Sequence, residues 1–228
     1  MTKYTVYILN IAIADFIVLL YQYTYFMLFL QPTHLSGSAS HFLELMYSLG
    51  NKSGFCILTT ACLERCFSVF PPICYLFQRP KHLSVIICIM LWIVCGIISF
   101  VEYLACYPRF YAYLDEDSYS CYVQTIFRMV LAYMILIPIM TFSTLAIFIR
   151  MLQKAHETTP VTFDFTLIAI VILYLVFEAS VRLLNTLEYW YDTIGVPIFT
   201  ISVLFDTVSS SVNVFFIFRH WLLHSEKV

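Results

Sequence analysis

Hydrophobic and polar positions along the chain fall into six long apolar runs separated by short breaks. The runs cover about Tyr4 to Leu30, Phe42 to Cys66, Leu83 to Cys106, Tyr122 to Leu152, Phe163 to Leu187, and Pro197 to Phe218. Each is long enough to cross ~30 Å of hydrocarbon at ~1.5 Å per residue. They are continuous, not alternating, so they predict helices and not strands; in lipid only helices and closed barrels keep every backbone group paired. The breaks are turn-rich: Gln31 to His41 holds Pro32 and Gly37, Phe67 to His82 holds Pro71, Pro72 and Pro80, and Tyr107 to Cys121 holds Asp115, Glu116 and Asp117. Further breaks fall at Gln153 to Thr162 and Glu188 to Val196. The pattern predicts an all-α membrane helical bundle forming a single transmembrane domain over residues 1–228, ending in a short tail at 219–228.

Composition agrees with the pattern. The 228 residues are 61% apolar and 11% charged, whereas a soluble domain runs about 45–50% and ~25%. A formal charge of −2 excludes a basic, phosphate-tracking nucleic-acid binder. Lys3, Arg65, Arg79, Lys81, Arg150, Lys154, Arg219 and Lys227 gather on one side of the spans, against Arg109 alone on the other. The positive-inside rule then places both termini in the cytoplasm and the acidic Asp115 to Asp117 loop outside.

Charges within the runs point to function. Asp15, Lys52, Glu102, Arg128, Glu178, Arg182 and Asp206 fall inside expected spans, where each costs at least ~2.5–3.5 kcal/mol unless paired or hydrated. Glu178 and Arg182 are one turn apart and suit an intrahelical pair. Lys52 and Arg128 are placed to reach Glu102. Two readings stand: self-neutralising structural pairs, or an outer polar cavity that accepts a ligand with charged groups, the latter favoured for Glu102 and Asp206. Asp15 lies deeper, and a buried carboxylate there calls for a bound sodium ion or a protonatable switch. On the second run Tyr47, Asn51, Gly54, Leu58, Ala61 and Arg65 share one helix face. That face is either a packing seam or a route from an outer pocket to the inner end.

Other chemistry is sparse. Asn51-Lys52-Ser53 matches a glycosylation sequon but sits within a span. The eight cysteines and six histidines form no zinc spacing and no hydrolase signature, so neither a metal site nor an enzyme is expected. Cys106 and Cys121 flank the outer acidic loop and are the one pair placed to oxidise. Six spans with both ends inside suit a receptor, a transporter or a channel. The chain shows no inverted repeat, matched broken half-helices or filter-like loop, which disfavours the last two.

Residue blocks narrow the choice. Leu63-Glu64-Arg65-Cys66-Phe67-Ser68-Val69 runs into Pro72-Ile73-Cys74-Tyr75 and Arg79-Pro80-Lys81-His82-Leu83-Ser84. This resembles the Mas-related branch of the rhodopsin-like G-protein-coupled receptors, in which Glu-Arg-Cys stands for the more usual Asp-Arg-Tyr. Val6 through Ala12 with Ala14-Asp15-Phe16 is similar to the family's second helix, with Asp15 at its sodium-site aspartate. Glu102 through Cys106, with Cys121, resembles the family's bridge between the fourth and fifth helices. Ser143-Thr144-Leu145-Ala146 with Arg150-Met151-Leu152 matches the end of the fifth.

The resemblance implies that the six spans correspond to helices two to seven and that a first helix would precede Met1. It implies a plasma-membrane receptor for an extracellular peptide or small amine, coupled to a heterotrimeric G protein. Glu102, Tyr47, Asn51, Lys52, Arg128, Glu178, Arg182 and Asp206 become the candidate ligand site. Glu64, Arg65 and Cys66 become the G-protein-coupling residues, and Asp15, Ser209 and Asn213 the sodium or switch residues. A receptor-derived, non-signalling fragment is the alternative.

Departures from the family pattern are equally specific. A second acid early in the family's fifth helix is absent, since the region reads Cys121-Tyr122-Val123-Gln124-Thr125 with Arg128 beyond. Glu178 and Ser180 stand in the Gly-x-Pro region of the sixth helix, so the kink proline is missing and an outward swing must hinge differently. Val214 replaces the proline of the seventh, and Ile217 stands where the family has tyrosine.

Overall fold

The computed structural model describes residues 3–30, 37–69, 82–111, 119–153, 162–180, 204–205, 207–213 and 215. Among them every extended element is a helix. α1 is Lys3–Leu30, α2 Gly37–Val69 and α3 Leu83–Tyr111. α4, Tyr119–Met129, passes through a π-helical turn at Val130–Leu136 into α5, Ile137–Gln153. α6, Thr162–Tyr174, continues into a second π turn at Leu175–Ala179, and a last helical stretch covers 207–213.

Thr5–Leu28, Leu83–Ala105 and Tyr122–Gln153 are long and apolar enough to cross a membrane. α2 is longer than any of them at 33 residues but more polar; it carries Glu44, Lys52, Glu64 and Arg65. Its position explains this. α2 packs against α1, α3 and α5, so most of its surface meets protein and its polar groups need not face hydrocarbon. The shorter apolar stretch Phe165–Phe177 lies in α6 and its π turn.

The radial distribution is that of a protein dissolved in lipid. Met134 is 74% exposed and Phe142 72%, and large apolar residues line the outside of α1, α3, α4 and α5. Meanwhile Gln22, Ser53, Thr59, Glu64, Ser99 and Thr144 are buried. Exposed apolar area on this scale is untenable in water, and between lipid-solvated helices it is small and polar residues that mediate contact. Several hydroxyls turn back on their own helix: Thr59, Thr60, Thr141 and Thr144 each donate to the carbonyl four residues earlier.

α1 and α2 approach closely at Gly50. A Cβ on Gly50 would stand 3.0 Å from the Ala14 carbonyl oxygen and 3.1 Å from Ile17 Cγ2, whereas one on Gly54 would meet Ala14 Cβ at 3.5 Å. Gly50 therefore permits an approach that any side chain obstructs. Across the core, Phe55 of α2 stacks on Tyr174 of α6 with centroids 4.7 Å apart. Trp92 Nε1 of α3 donates to Asn10 Oδ1 of α1 at 2.9 Å, fixing a third helix to that pair.

The π turns are two local departures from the α ladder. The first ends two residues before Pro138, which has no N–H to give the preceding turn, so a widened turn there has a covalent cause. The second has no proline. It occupies the region where the sequence lacks the family's kink residue and provides a ladder break of a different kind. Tyr133 Oη, in the first turn, donates to the Ala179 carbonyl, in the second, at 3.4 Å.

Candidate functional site

Three polar constellations lie along α2. The first joins three helices. Lys52 of α2 forms an ion pair with Glu102 of α3, and Arg128 Nη1 of α4 donates to Glu102 Oε1 at 2.8 Å. Lys52 also donates to Ser48, one turn earlier, and to Ser99 Oγ at 3.4 Å. The 52 and 48 positions share a helix face by i, i+4 spacing, as do 99 and 102 by i, i+3. Side-chain exposure rises from 14% at Lys52 through 19% at Glu102 to 45% at Arg128. Near this end Tyr21 stacks on Tyr47 with centroids 4.5 Å apart, and His41 meets Tyr103 edge-on at 5.9 Å.

The second constellation is a small cavity midway along the bundle, about 20 Å³, lined by Asp15, Asn51, Tyr174, Ser210 and Asn213, with Gly50 and Gly54 leaving room for it. Asp15 is 7% exposed, and Ser210 and Asn213, which share the cavity with it, are buried. The Oδ1 atoms of Asn51 and Asn213 are buried without a hydrogen-bond partner among the described residues. One carboxylate with neutral amide and hydroxyl oxygens is a donor set for a hard monovalent cation, and the volume admits one water-sized occupant. No group of three or more His, Cys, Asp or Glu suited to a metal ion occurs among the described residues.

The third lies at the end bearing Arg65. Tyr7 Oη of α1 donates to Glu64 Oε2 at 2.6 Å, both groups being buried. Arg65 and Cys66, the next residues on α2, are half-buried.

Of the residues singled out by sequence, Lys52, Glu102 and Arg128 meet directly. Tyr47 lies against α1, and Asn51 lines the Asp15 cavity instead of the triad. Asp15 and Asn213 line one cavity, with Ser210 where Ser209 was expected; Ser209 is buried but does not line it. The side chains of Glu178, Arg182, Asp206, Cys106 and Cys121 lie outside the described residues, and so do the Glu178–Arg182 pair and the Cys106–Cys121 bridge. Sequence reasoning missed Tyr7, Asn10 and Tyr174. Tyr7 had a signal: with Ile11, Ala14 and Val18 it forms a stripe of one helix face. Tyr174 lacked one, because α6 is apolar all round.

An all-helical bundle, apolar outside and polar along one central helix, is the architecture of a multi-pass membrane protein. Comparison with known proteins shows what the chain is similar to. The chain is 29% identical to human proto-oncogene Mas over 224 residues, covering 94% of this chain and 66% of Mas. It is 28% identical to Mas-related G-protein coupled receptor member D of Macaca fascicularis over 221 residues, 93% of this chain and 67% of that receptor. It is 34% identical to mouse Mas-related G-protein coupled receptor member H over 148 residues, 64% of this chain and 44% of that receptor. No family model matches the chain. Over most of its length the chain is thus similar to Mas and to Mas-related G-protein-coupled receptors, and it spans about two thirds of the length of those matched along most of the chain.

Proposed function

We propose that this chain converts binding of an extracellular ligand, a peptide or small amine, at the Glu102 end into activation of a heterotrimeric G protein at the Arg65 end. One observation carries the reading: α2 bears the Lys52–Glu102 pair, the Asp15 cavity and the Glu64-Arg65-Cys66 triplet in succession along one rod. A change in how α2 sits against α1, α3 and α5 is thereby available to both ends. Ligand binding can shift the bundle only by its differential affinity for two arrangements. In this reading the Glu102 end faces outside the plasma membrane and the Arg65 end faces the cytoplasm, as the Lys and Arg asymmetry implies. The Cys106–Cys121 bridge, Glu178, Arg182 and Asp206 complete the outer end.

The Asp15 cavity takes a sodium ion in this proposal. Asp15 neutralises it, and Asn51, Ser210 and Asn213 supply neutral oxygens. An ion held there ties α1, α2 and the 207–213 helix together and favours the arrangement that binds it.

The test is expression of the chain at the cell surface, with calcium release and cyclic-AMP change measured against a panel of peptides and amines. A response abolished by Arg65→Ala at unchanged surface level is expected. Surface-expressed chain without response to any panel member, or a response indifferent to Arg65→Ala, would overturn the receptor reading.

A further inference from the structure

We infer that Cys56 of α2 and Cys95 of α3 form an oxidisable dithiol within the membrane, which hydrogen peroxide closes into a disulfide joining the two helices. The pair is separate from the Cys106–Cys121 bridge expected at the outer end. Its closure needs neither a ligand nor a G protein, so it stands independently of the receptor reading.

Contacts along the α2–α3 interface fix the register. His41 meets Tyr103, Ser48 Oγ donates to Ser99 Oγ at 3.4 Å, and Cys88 lies beside Glu64. Residue numbers on α3 fall as those on α2 rise, so the two helices run antiparallel. Lys52 Nζ also donates to Ser99 Oγ, at 3.4 Å. One turn further toward the Arg65 end, four residues on from Lys52 and four back from Ser99, stand Cys56 and Cys95. Their side chains are in hydrogen-bonding contact. The interface is built for such an approach: two serine hydroxyls, each one bond beyond Cβ, meet across it, and a Cβ on Gly96 would stand 4.0 Å from Leu49 Cδ1. A disulfide asks for Cβ atoms about 3.5–4.5 Å apart, a spacing that small facing residues bring within reach.

Exposure assigns the order of events. Cys56 is half-buried whereas Cys95 is 2% exposed, so Cys56 meets a small uncharged oxidant first and Cys95 resolves the product. The Cys56 sulfur attacks one peroxide oxygen: an S–O bond forms, the O–O bond breaks, and the leaving hydroxide takes the thiol proton away as water. The Cys95 sulfur then attacks the sulfenic sulfur: the S–S bond forms, the S–O bond breaks, and the hydroxyl departs with the second thiol proton as a second water. Two electrons pass from sulfur to peroxide. The closed bridge pins α2, which also packs on α1 and α5, to one register against α3. Cys62, in contact with Thr144 of α5, and Cys88, beside Glu64, are free thiols in other surroundings and serve as internal controls.

The experiment treats the full chain in lipid nanodiscs with hydrogen peroxide, denatures it with N-ethylmaleimide present, digests it with chymotrypsin without reduction and reads the peptides by mass spectrometry. Cleavage after Phe55, Leu58, Trp92 and Phe100 releases 56–58 and 93–100, each with a single cysteine. The expected result is a linked species of these two peptides that grows with peroxide, is lost with dithiothreitol and is absent from Cys56→Ala, while Cys62 and Cys88 stay alkylated. Tm should rise as the bridge forms, because a cross-link restricts the unfolded chain, and should fall back on reduction. If Cys56→Ala does not fold, the linked mass in the parent chain and its loss with dithiothreitol decide alone. Four results would overturn the inference: full alkylation of Cys56 and Cys95 after peroxide, linkage of either to another cysteine, sulfinic acid at Cys56 in place of a bridge, or a Tm that falls as the bridge forms. A chain that forms the bridge but answers no peptide or amine would count against the receptor reading only.

Discussion

Tyr7 and Glu64 show how much one hydroxyl decides at the Arg65 end. A carboxylate buried in a bundle must be supplied with donors, and Tyr7 reaches it from a different helix at 2.6 Å. A double-mutant cycle on Tyr7→Phe and Glu64→Gln, read by thermal unfolding in detergent, should return a coupling of about 1.5–3 kcal/mol, the range for hydrogen bonds to charged groups. A coupling near zero would show the contact to be incidental. The sequence made Glu64 and Arg65 visible because their triplet has a recognisable neighbourhood, and it made Lys52, Glu102 and Arg128 visible because charges in apolar runs are costly. For Tyr7 the stripe with Ile11, Ala14 and Val18 signals a packed face but not the partner, because a tyrosine's hydrogen bond to another helix has no mark in its own sequence. Nor did spacing along α2 separate Asn51 from Lys52. Consecutive residues differ by about 100° of helix rotation, which is enough to send one to the Asp15 cavity and the other to the triad.

At the scale of elements, the α1 and α2 seam turns on one atom's clearance. Gly50→Ala places a Cβ against a backbone oxygen, which cannot rotate away, while Gly54→Ala makes an ordinary contact. Gly50→Ala should therefore lose about 1–3 kcal/mol by overpacking and Gly54→Ala should be nearly neutral, as judged by Tm in a fixed detergent. Equal effects at the two sites would contradict the close approach. The elements themselves were legible as apolar runs, and α2 was legible despite its polarity because between Glu44 and Glu64 it carries a single charge, Lys52. What the runs do not encode is the change from α to π geometry. Pro138 hints at the first π turn, whereas Leu175–Ala179 contains only residues that a regular helix would accept.

For the whole molecule, the Asp15 cavity is where separate segments share a single charge. If sodium binds there and not to the unfolded chain, raising it to ten times its dissociation constant should stabilise the bundle by about 1.4 kcal/mol. The measurement is Tm in sodium chloride against choline chloride at equal ionic strength. Asp15→Asn should remove the difference, and a difference that survives in Asp15→Asn would place the ion elsewhere. The receptor class was legible in the blocks around Asp15 and Arg65, and relatives matched over 94% of the chain agree with it. The convergence of Lys52, Glu102 and Arg128 from three helices was legible only as a set of costly charges, because pairing between helices depends on how they pack.

The second π turn also bears on chain length. A π turn accommodates one residue beyond what the α ladder needs while leaving the flanking helix in phase. Removing one residue from Leu175–Ala179 should relax the turn to α geometry and keep residues on both sides facing as before. Removing one from a regular helix rotates everything beyond it by about 100°. Deletion of Val176 should thus leave surface expression close to that of the parent chain, whereas deletion of Ile97, equally apolar and also exposed on α3, should abolish it. The segment is a place where the protein can lose a residue without losing its orientation.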